Sequence, residues 1–150
     1  MTPATHTQHE AFSLQRFVAA QEGVHEQALD ELRSGQKIGH WMWFVFPQID
    51  GLGSSEIAHF YAIKSAEEAK AYLRHPTLGP RLLECCEAML SVQGKTAREI
   101  LDFPDNLKLR SSMTLFSAVS PPDSAFARVI AKYFEGHPDQ RTLEILGGIC

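Results

Sequence analysis

Apolar residues recur at helical spacing along most of this chain, and this periodicity constrains its fold more than any other feature. The clearest stripe consists of Leu78, Leu82, Cys86 and Met89, which would all face the same side of one helix. Segments that alternate like strands are too few to build a sheet. The sequence therefore predicts an all-α fold.

Residue types that start and stop helices divide the chain into short segments. Ser65 with Glu68, and Thr96 with Glu99, have the spacing of capping boxes. The segment 120–123 (Ser-Pro-Pro-Asp) is typical of a helix start with proline in the first turn, and residues 142–146 favour a short last helix. We expect a compact single-domain bundle of about six to eight short helices over residues 12–150, with residues 1–11 as a flexible tail.

Two segments are ambiguous from sequence alone. Residues 41–46 are apolar on all sides, and residues 107–110 alternate like a strand. Nothing else in the chain supplies partner strands, so we interpret both segments as helices.

The composition excludes several classes of protein. Hydrophobic residues make up 44% of the chain, which argues against disorder, and the net charge of −4 argues against broad binding to a nucleic-acid backbone. The N-terminal residues are polar, and the longest apolar run, residues 41–47, is too short to cross a bilayer. The chain has three cysteines, and their spacing is not that of a metal-binding motif or a disulfide framework. We therefore expect no disulfide framework and no metal or cofactor site. We expect a cytoplasmic protein.

The first segment that could carry chemistry is residues 35–48. Lys37 and His40 would project from one side of a helical turn, beside Trp41 and Trp43 and ahead of Gln48. A cation, an imidazole and aromatic faces together could hold an anionic or planar ligand. The alternative is a buried core helix in which His40 is only hydrogen-bonded.

Two further segments carry weaker signals. Residues 51–55, with two glycines followed by serines, could receive an anion, or could be a turn in which Ser54 caps the next helix. Lys108, Ser111 and Ser112 put a cation and two hydroxyl groups along a predicted helix, which suits phosphate or carboxylate oxygens. The same three side chains could equally solvate a surface helix.

The aromatic block at residues 40–48, with the Gly51–Leu52–Gly53 sequence after it, resembles a bacterial family of unknown function, DUF1810. Residues 71–79 and 107–116 resemble other blocks of that family, as do residues 14–18 and 139–143. The resemblance implies a mainly α-helical fold and no established activity. Some members carry a calpastatin-like label, but calpastatin-type inhibitors are disordered repeats, whereas this chain has a globular composition and no repeat.

The family blocks contain polar residues as well as apolar ones, and packing alone does not explain the polar set. We therefore predict that the three segments meet at one cleft that binds a nucleotide or another phosphorylated metabolite. Any proton transfer would fall to His40; whether the protein is an enzyme stays open. The predicted ligand-binding residues are Lys37, Trp41, Trp43, Gln48, Ser54, Tyr61, Lys108, Ser111 and Ser112.

The alternative is a protein-interaction or adaptor module that docks a partner through an exposed aromatic patch, with no catalysis. The two hypotheses differ in geometry: the first requires a concave site, the second a convex surface around an exposed tryptophan.

Overall fold

The computed structural model describes residues 13–149, so the expected tail, residues 1–11, lies outside the described residues. In this range the chain folds into ten helices, which confirms the all-α prediction. In chain order they are α1 Gln15–Gln21, α2 His25–Ser34, α3 Met42–Val45, α4 Glu56–Tyr61, α5 Ala66–Arg74, α6 Leu78–Ser91, α7 Ala97–Leu101, α8 Asp105–Ala118, α9 Ala125–Phe134 and α10 Gln140–Ile149.

The number of helices exceeds the six to eight expected from sequence because three of them are very short. Helices α3, α4 and α7 have four, six and five residues. So few residues give an apolar stripe no room to repeat, and periodicity therefore cannot detect such helices. No helix within residues 13–149 is both long and apolar enough to cross a bilayer.

Helix α8 lies at the centre of the bundle and packs against α5, α7, α9 and α10. Its residues Leu109, Met113 and Phe116 are completely buried. The helical interpretation of residues 107–110 is therefore correct. The apparent alternation there pairs a buried leucine, Leu109, with an exposed one, Leu107, which is 45% exposed.

Helix α6 forms the second layer and packs against α2, α5 and α9. The predicted stripe is confirmed, since Leu78, Leu82, Cys86 and Met89 are all at most 2% exposed. Between the layers, the rings of Tyr72 and Phe116 lie 5.3 Å apart, and those of Phe116 and Phe126 lie 5.6 Å apart. Aromatic side chains in tilted contact thus join α5, α8 and α9 in one core.

Most predicted helix ends are present. Thr96 and Glu99 form a complete capping box, and Gly35 ends α2 in the left-handed conformation with a φ of 82°. The predicted helix start at residues 120–123 is wrong. Ser124 caps α9 instead, by accepting a hydrogen bond from the Ala127 backbone, so the prolines belong to the preceding turn.

Candidate functional site

The three segments that the sequence singles out meet at one open cleft of about 460 Å³. One wall comes from α3 and the chain that leaves it, a second from the loop before α4, and a third from the first half of α8. The start of α10 closes one end. The lining residues are Trp43, Gln48, Leu52, Gly53, Ser54, Ser55, Ala58, Pro104, Leu107, Lys108, Ser111, Asp139 and Arg141.

Helix α3 provides the aromatic wall. Met42 and Val45 are buried in the core, at 1% and 3% exposed. Because they are three residues apart on a helical turn, Trp43 between them points outward and lines the cleft. The ring of Trp43 is the planar surface of the site.

An isolated parallel bridge between Ile49 and Ile63 places Gln48 at the cleft. The Asp50 N–H donates to the Ile63 carbonyl, and the Ile63 N–H donates to the Gln48 carbonyl, both at 2.8 Å. These two hydrogen bonds join the two ends of the segment that contains α4 and the loop before it. Within residues 13–149, the Gln48 side-chain amide makes no hydrogen bond, so it is available to a ligand.

The loop before α4 contributes hydroxyl groups. Ser55, not Ser54, caps α4, because its hydroxyl accepts a hydrogen bond from the Ala58 N–H at 3.1 Å. Ser54 is exposed and lines the cleft. A Cβ at Gly53 would lie 2.8 Å from the Cβ of Ala58, so only glycine lets the loop approach α4 this closely.

Helix α8 contributes the cation. The Lys108 ammonium lies 4.8 Å from the centre of the Trp43 ring and 3.6 Å from a carboxylate oxygen of Asp105. One turn further along, Ser111 lines the cleft and donates to the Leu107 carbonyl at 3.2 Å. A serine hydroxyl bonded in this way still offers its lone pairs to a ligand.

The start of α10 adds Asp139 and Arg141, which the sequence analysis missed. One Asp139 oxygen accepts hydrogen bonds from the backbone and hydroxyl of Thr142, and the Asp139 N–H donates to the Thr114 hydroxyl at 2.8 Å. These bonds hold the first turn of α10 against α8 and bring Arg141 to the cleft. The available signal was an aspartate three residues before a threonine, which is the spacing of a helix cap.

Five predicted site residues do not line this cleft, and two of them are Lys37 and Trp41. The Trp41 ring is 1% exposed, because its indole N–H donates to Glu31 at 2.8 Å and its ring packs toward Phe46. The Lys37 side chain is 9% exposed and forms an ion pair of 2.9 Å with Asp105. Burial therefore keeps both side chains away from a ligand in the cleft.

The other three are His40, Ser112 and Tyr61. His40 is exposed and lies outside the lining of the cleft. Ser112 is completely buried, and its hydroxyl has no hydrogen-bond partner among the described residues; the central position of α8 places it inside the bundle, although Ser111 beside it faces the cleft. Tyr61 lines a small recess that shares Trp43 and Gln48 with the cleft.

Glu31 orients the chain that leads into the aromatic wall. Its carboxylate accepts hydrogen bonds from the backbone of Ile38 and Gly39, from the Trp41 indole and from the Gln27 amide, at 2.8 to 3.0 Å. Burial alone would raise the pKa of Glu31, but the four donors outweigh it and lower that pKa from 4.5 to about 2. A charged carboxylate thus fixes residues 38–41.

The charges around the cleft nearly balance. Lys37 and Lys108 share the carboxylate of Asp105, and Arg141 lies 3.6 Å from the exposed Glu144. Within the described residues, no group of three or more His, Cys, Asp or Glu side chains could hold a metal ion. The arrangement offers cations, hydroxyl groups, an amide and a ring, which suits a ligand with an anionic and a planar part.

The model of the family described as "Protein of unknown function (DUF1810)" matches residues 11–146. The chain belongs to this family. No curated protein matches it.

A solved structure of the family agrees with the fold described above. The chain is 52% identical to the conserved hypothetical protein Rv1873 from Mycobacterium tuberculosis, with a TM-score of 0.89. The match covers 91% of this chain and 98% of that one. The all-α arrangement is therefore shared over nearly the whole length of both proteins.

Proposed function

We propose that this DUF1810 chain binds a small ligand with an anionic and a planar part, such as a nucleotide or a phosphorylated metabolite, in the cleft between α3, α4 and α8. One observation carries the proposal: Trp43, Gln48, Ser54, Lys108 and Ser111 come from three separate segments and line a single open cleft of about 460 Å³. A volume of this size falls in the range of small-molecule sites.

Each lining side chain has a role in this proposal. The Trp43 ring stacks on the planar part of the ligand. Lys108 and Ser54 donate to anionic oxygens, and Ser111 does so when its hydroxyl turns away from the Leu107 carbonyl toward the ligand. Arg141 adds a guanidinium at the far end. The Gln48 amide can donate and accept, which suits the edge of a heterocyclic ring.

The proposal is limited to binding. His40 is outside the lining of the cleft, so it receives no catalytic role. The adaptor alternative required an exposed indole, but Trp41 is 1% exposed and Trp43 is partly buried. The cytoplasmic location expected from the sequence stays a prediction.

A thermal-shift screen against nucleotides and phosphorylated metabolites tests the proposal. A ligand at a hundred times its Kd would add about 2.7 kcal/mol to the free energy of unfolding, which is a readily measured rise in Tm. If no compound raises the Tm at millimolar concentration while the protein captures a specific macromolecular partner, the cleft is not a ligand site and the adaptor alternative is favoured.

The variant Lys108→Gln tests whether a compound that binds does so in this cleft. We expect its affinity to fall about tenfold to a hundredfold, because a hydrogen bond to a charged group contributes about 1.5–3 kcal/mol. Lys70→Gln is the matched control, since Lys70 forms the same i,i+3 pair with Glu67 at 3.4 Å on α5. An equal loss of affinity in both variants would place the binding elsewhere.

A further inference from the structure

Resting on the proposed function, we propose that the cleft selects ligands with a single phosphomonoester group over diphosphates and triphosphates, and that Lys37 and Asp105, behind the cleft, set this preference through Lys108.

Lys37 acts from outside the cleft because it is buried and fully engaged. Its ammonium donates to the Gly39 carbonyl, lies 5.1 Å from the centre of the Trp41 ring, and forms its ion pair with Asp105 at 2.9 Å. The side chain is 9% exposed. Lys37 therefore contributes charge to the site without touching a ligand.

Asp105 connects this buried cation to the cleft. One of its carboxylate oxygens contacts Lys37 at 2.9 Å, while the other lies 3.6 Å from the Lys108 ammonium. The shorter and more buried pair with Lys37 neutralises most of the carboxylate charge, because screening by water is weaker there. Lys108 is thus held above Trp43 by Asp105 and still keeps a positive charge for a ligand.

The total charge around the cleft limits how many phosphate groups it can take. Three cations, Lys37, Lys108 and Arg141, face the carboxylates of Asp105 and Asp139, and Glu144 stands beside Arg141. The site therefore carries at most one net positive charge. A phosphomonoester brings about −1.5 to −2 at neutral pH, which is already enough to offset that charge.

Further phosphate groups would meet the carboxylate of Asp139, which lines the cleft. Only one of its oxygens is used to cap α10. A second phosphate, with about one more negative charge, gains no new cation and is repelled by this carboxylate. Hydroxyl groups on two walls, from Ser54 and Ser111, suit the tetrahedral oxygens of one phosphate group better than a planar carboxylate.

Calorimetric titration of the intact protein with adenosine, AMP, ADP and ATP, and with the matching guanosine and uridine series, tests the selectivity. In a series that binds, we expect AMP or its counterpart to bind at least tenfold more tightly than the nucleoside, and ADP and ATP to bind no more tightly than the monophosphate. Affinity that rises with each phosphate overturns this inference but not the proposed function. Absence of binding throughout all three series overturns both.

The variant Asp105→Asn tests whether Asp105 and Lys37 set the preference for a single phosphate group. Removing this carboxylate adds a net positive charge, so the affinity for ATP relative to AMP should rise about threefold to tenfold. Glu67→Gln is the control, because Glu67 forms the equivalent i,i+3 pair with Lys70 on α5. If the affinity for ATP relative to AMP stays unchanged in Asp105→Asn while circular dichroism shows an intact fold, Asp105 does not set the preference.

A double variant separates charge from structure. Lys37→Met should weaken binding of AMP about threefold to tenfold, because Asp105 then neutralises Lys108. In Lys37→Met with Asp105→Asn the net charge of the site is restored, and the ATP to AMP ratio should return to that of the unmodified protein. If the double variant keeps the ATP to AMP affinity ratio of Asp105→Asn, the charge of Lys37 does not influence the selectivity.

Discussion

Glu31 links the core of the bundle to the aromatic wall of the cleft. Its carboxylate receives the N–H groups of Ile38 and Gly39 and the indole N–H of Trp41. A buried polar group that loses its partner costs far more than one hydrogen bond contributes. The route of residues 38–41, and with it the direction of Trp43, therefore depends on a side chain of the preceding helix, α2.

Replacing Glu31 by glutamine should destabilise the protein by about 1–3 kcal/mol, because an amide offers one acceptor oxygen and brings a donor toward backbone N–H groups. The measurement is the free energy of unfolding in urea at pH 7. Glu26→Gln on the same helix is the control; Glu26 is exposed, so its change should stay within about 0.5 kcal/mol. Equal stability of the two variants would contradict the role of Glu31.

The low pKa of Glu31 also predicts how stability depends on pH. A carboxyl group whose pKa is about 2 in the folded state and 4.5 otherwise stabilises the fold fully above pH 4.5. This contribution is lost as the pH falls from about 4.5 toward 2. The difference in unfolding free energy between the protein and Glu31→Gln should therefore shrink over that range, and a difference independent of pH would contradict the assignment.

The long elements of the fold are predictable from sequence, whereas the short ones and several boundaries are not. The stripe of α6 and the capping box of α7 follow from spacing that the chain shows directly. Residues 120–123 combine every residue type of a helix start. The fold uses the next serine, Ser124, because the apolar face that begins at Ala125 and Phe126 has to meet α6 and α8.

The serine that caps α9, Ser124, contributes to the stability of the protein. Ser124→Ala should destabilise the protein by about 1 kcal/mol, since it removes the acceptor for the Ala127 N–H at 3.2 Å. Ser120→Ala, at the start that the sequence suggested, should cost less than about 0.5 kcal/mol. Thermal or urea unfolding of both variants measures the difference, and the reverse order would show that the helix begins earlier.

The whole molecule depends on the aromatic contacts at its centre. Phe116 is completely buried and lies between Tyr72 and Phe126, at ring distances of 5.3 and 5.6 Å. Its side chain therefore joins three helices, α5, α8 and α9. Loss of this ring should affect the whole fold and not one element.

We expect Phe116→Ala to cost about 3–5 kcal/mol and to lower the Tm by about 10 °C or more. Phe103→Ala is the control, because Phe103 is 58% exposed and its loss should change stability little. Circular dichroism and tryptophan fluorescence should report the same midpoint in each variant. Separate midpoints for the two probes would contradict a single cooperative core.

The helical class, the long helices and the segments that carry the polar side chains follow from the amino-acid sequence, because periodicity and caps are local properties. Which of those side chains reach the cleft depends on how the helices pack. Trp41 and Trp43 are two residues apart in one apolar run. Trp41 is buried and donates its indole N–H to Glu31, whereas Trp43 lines the cleft. Burial is set by which elements pack over a side chain, and local spacing contains no information about that packing.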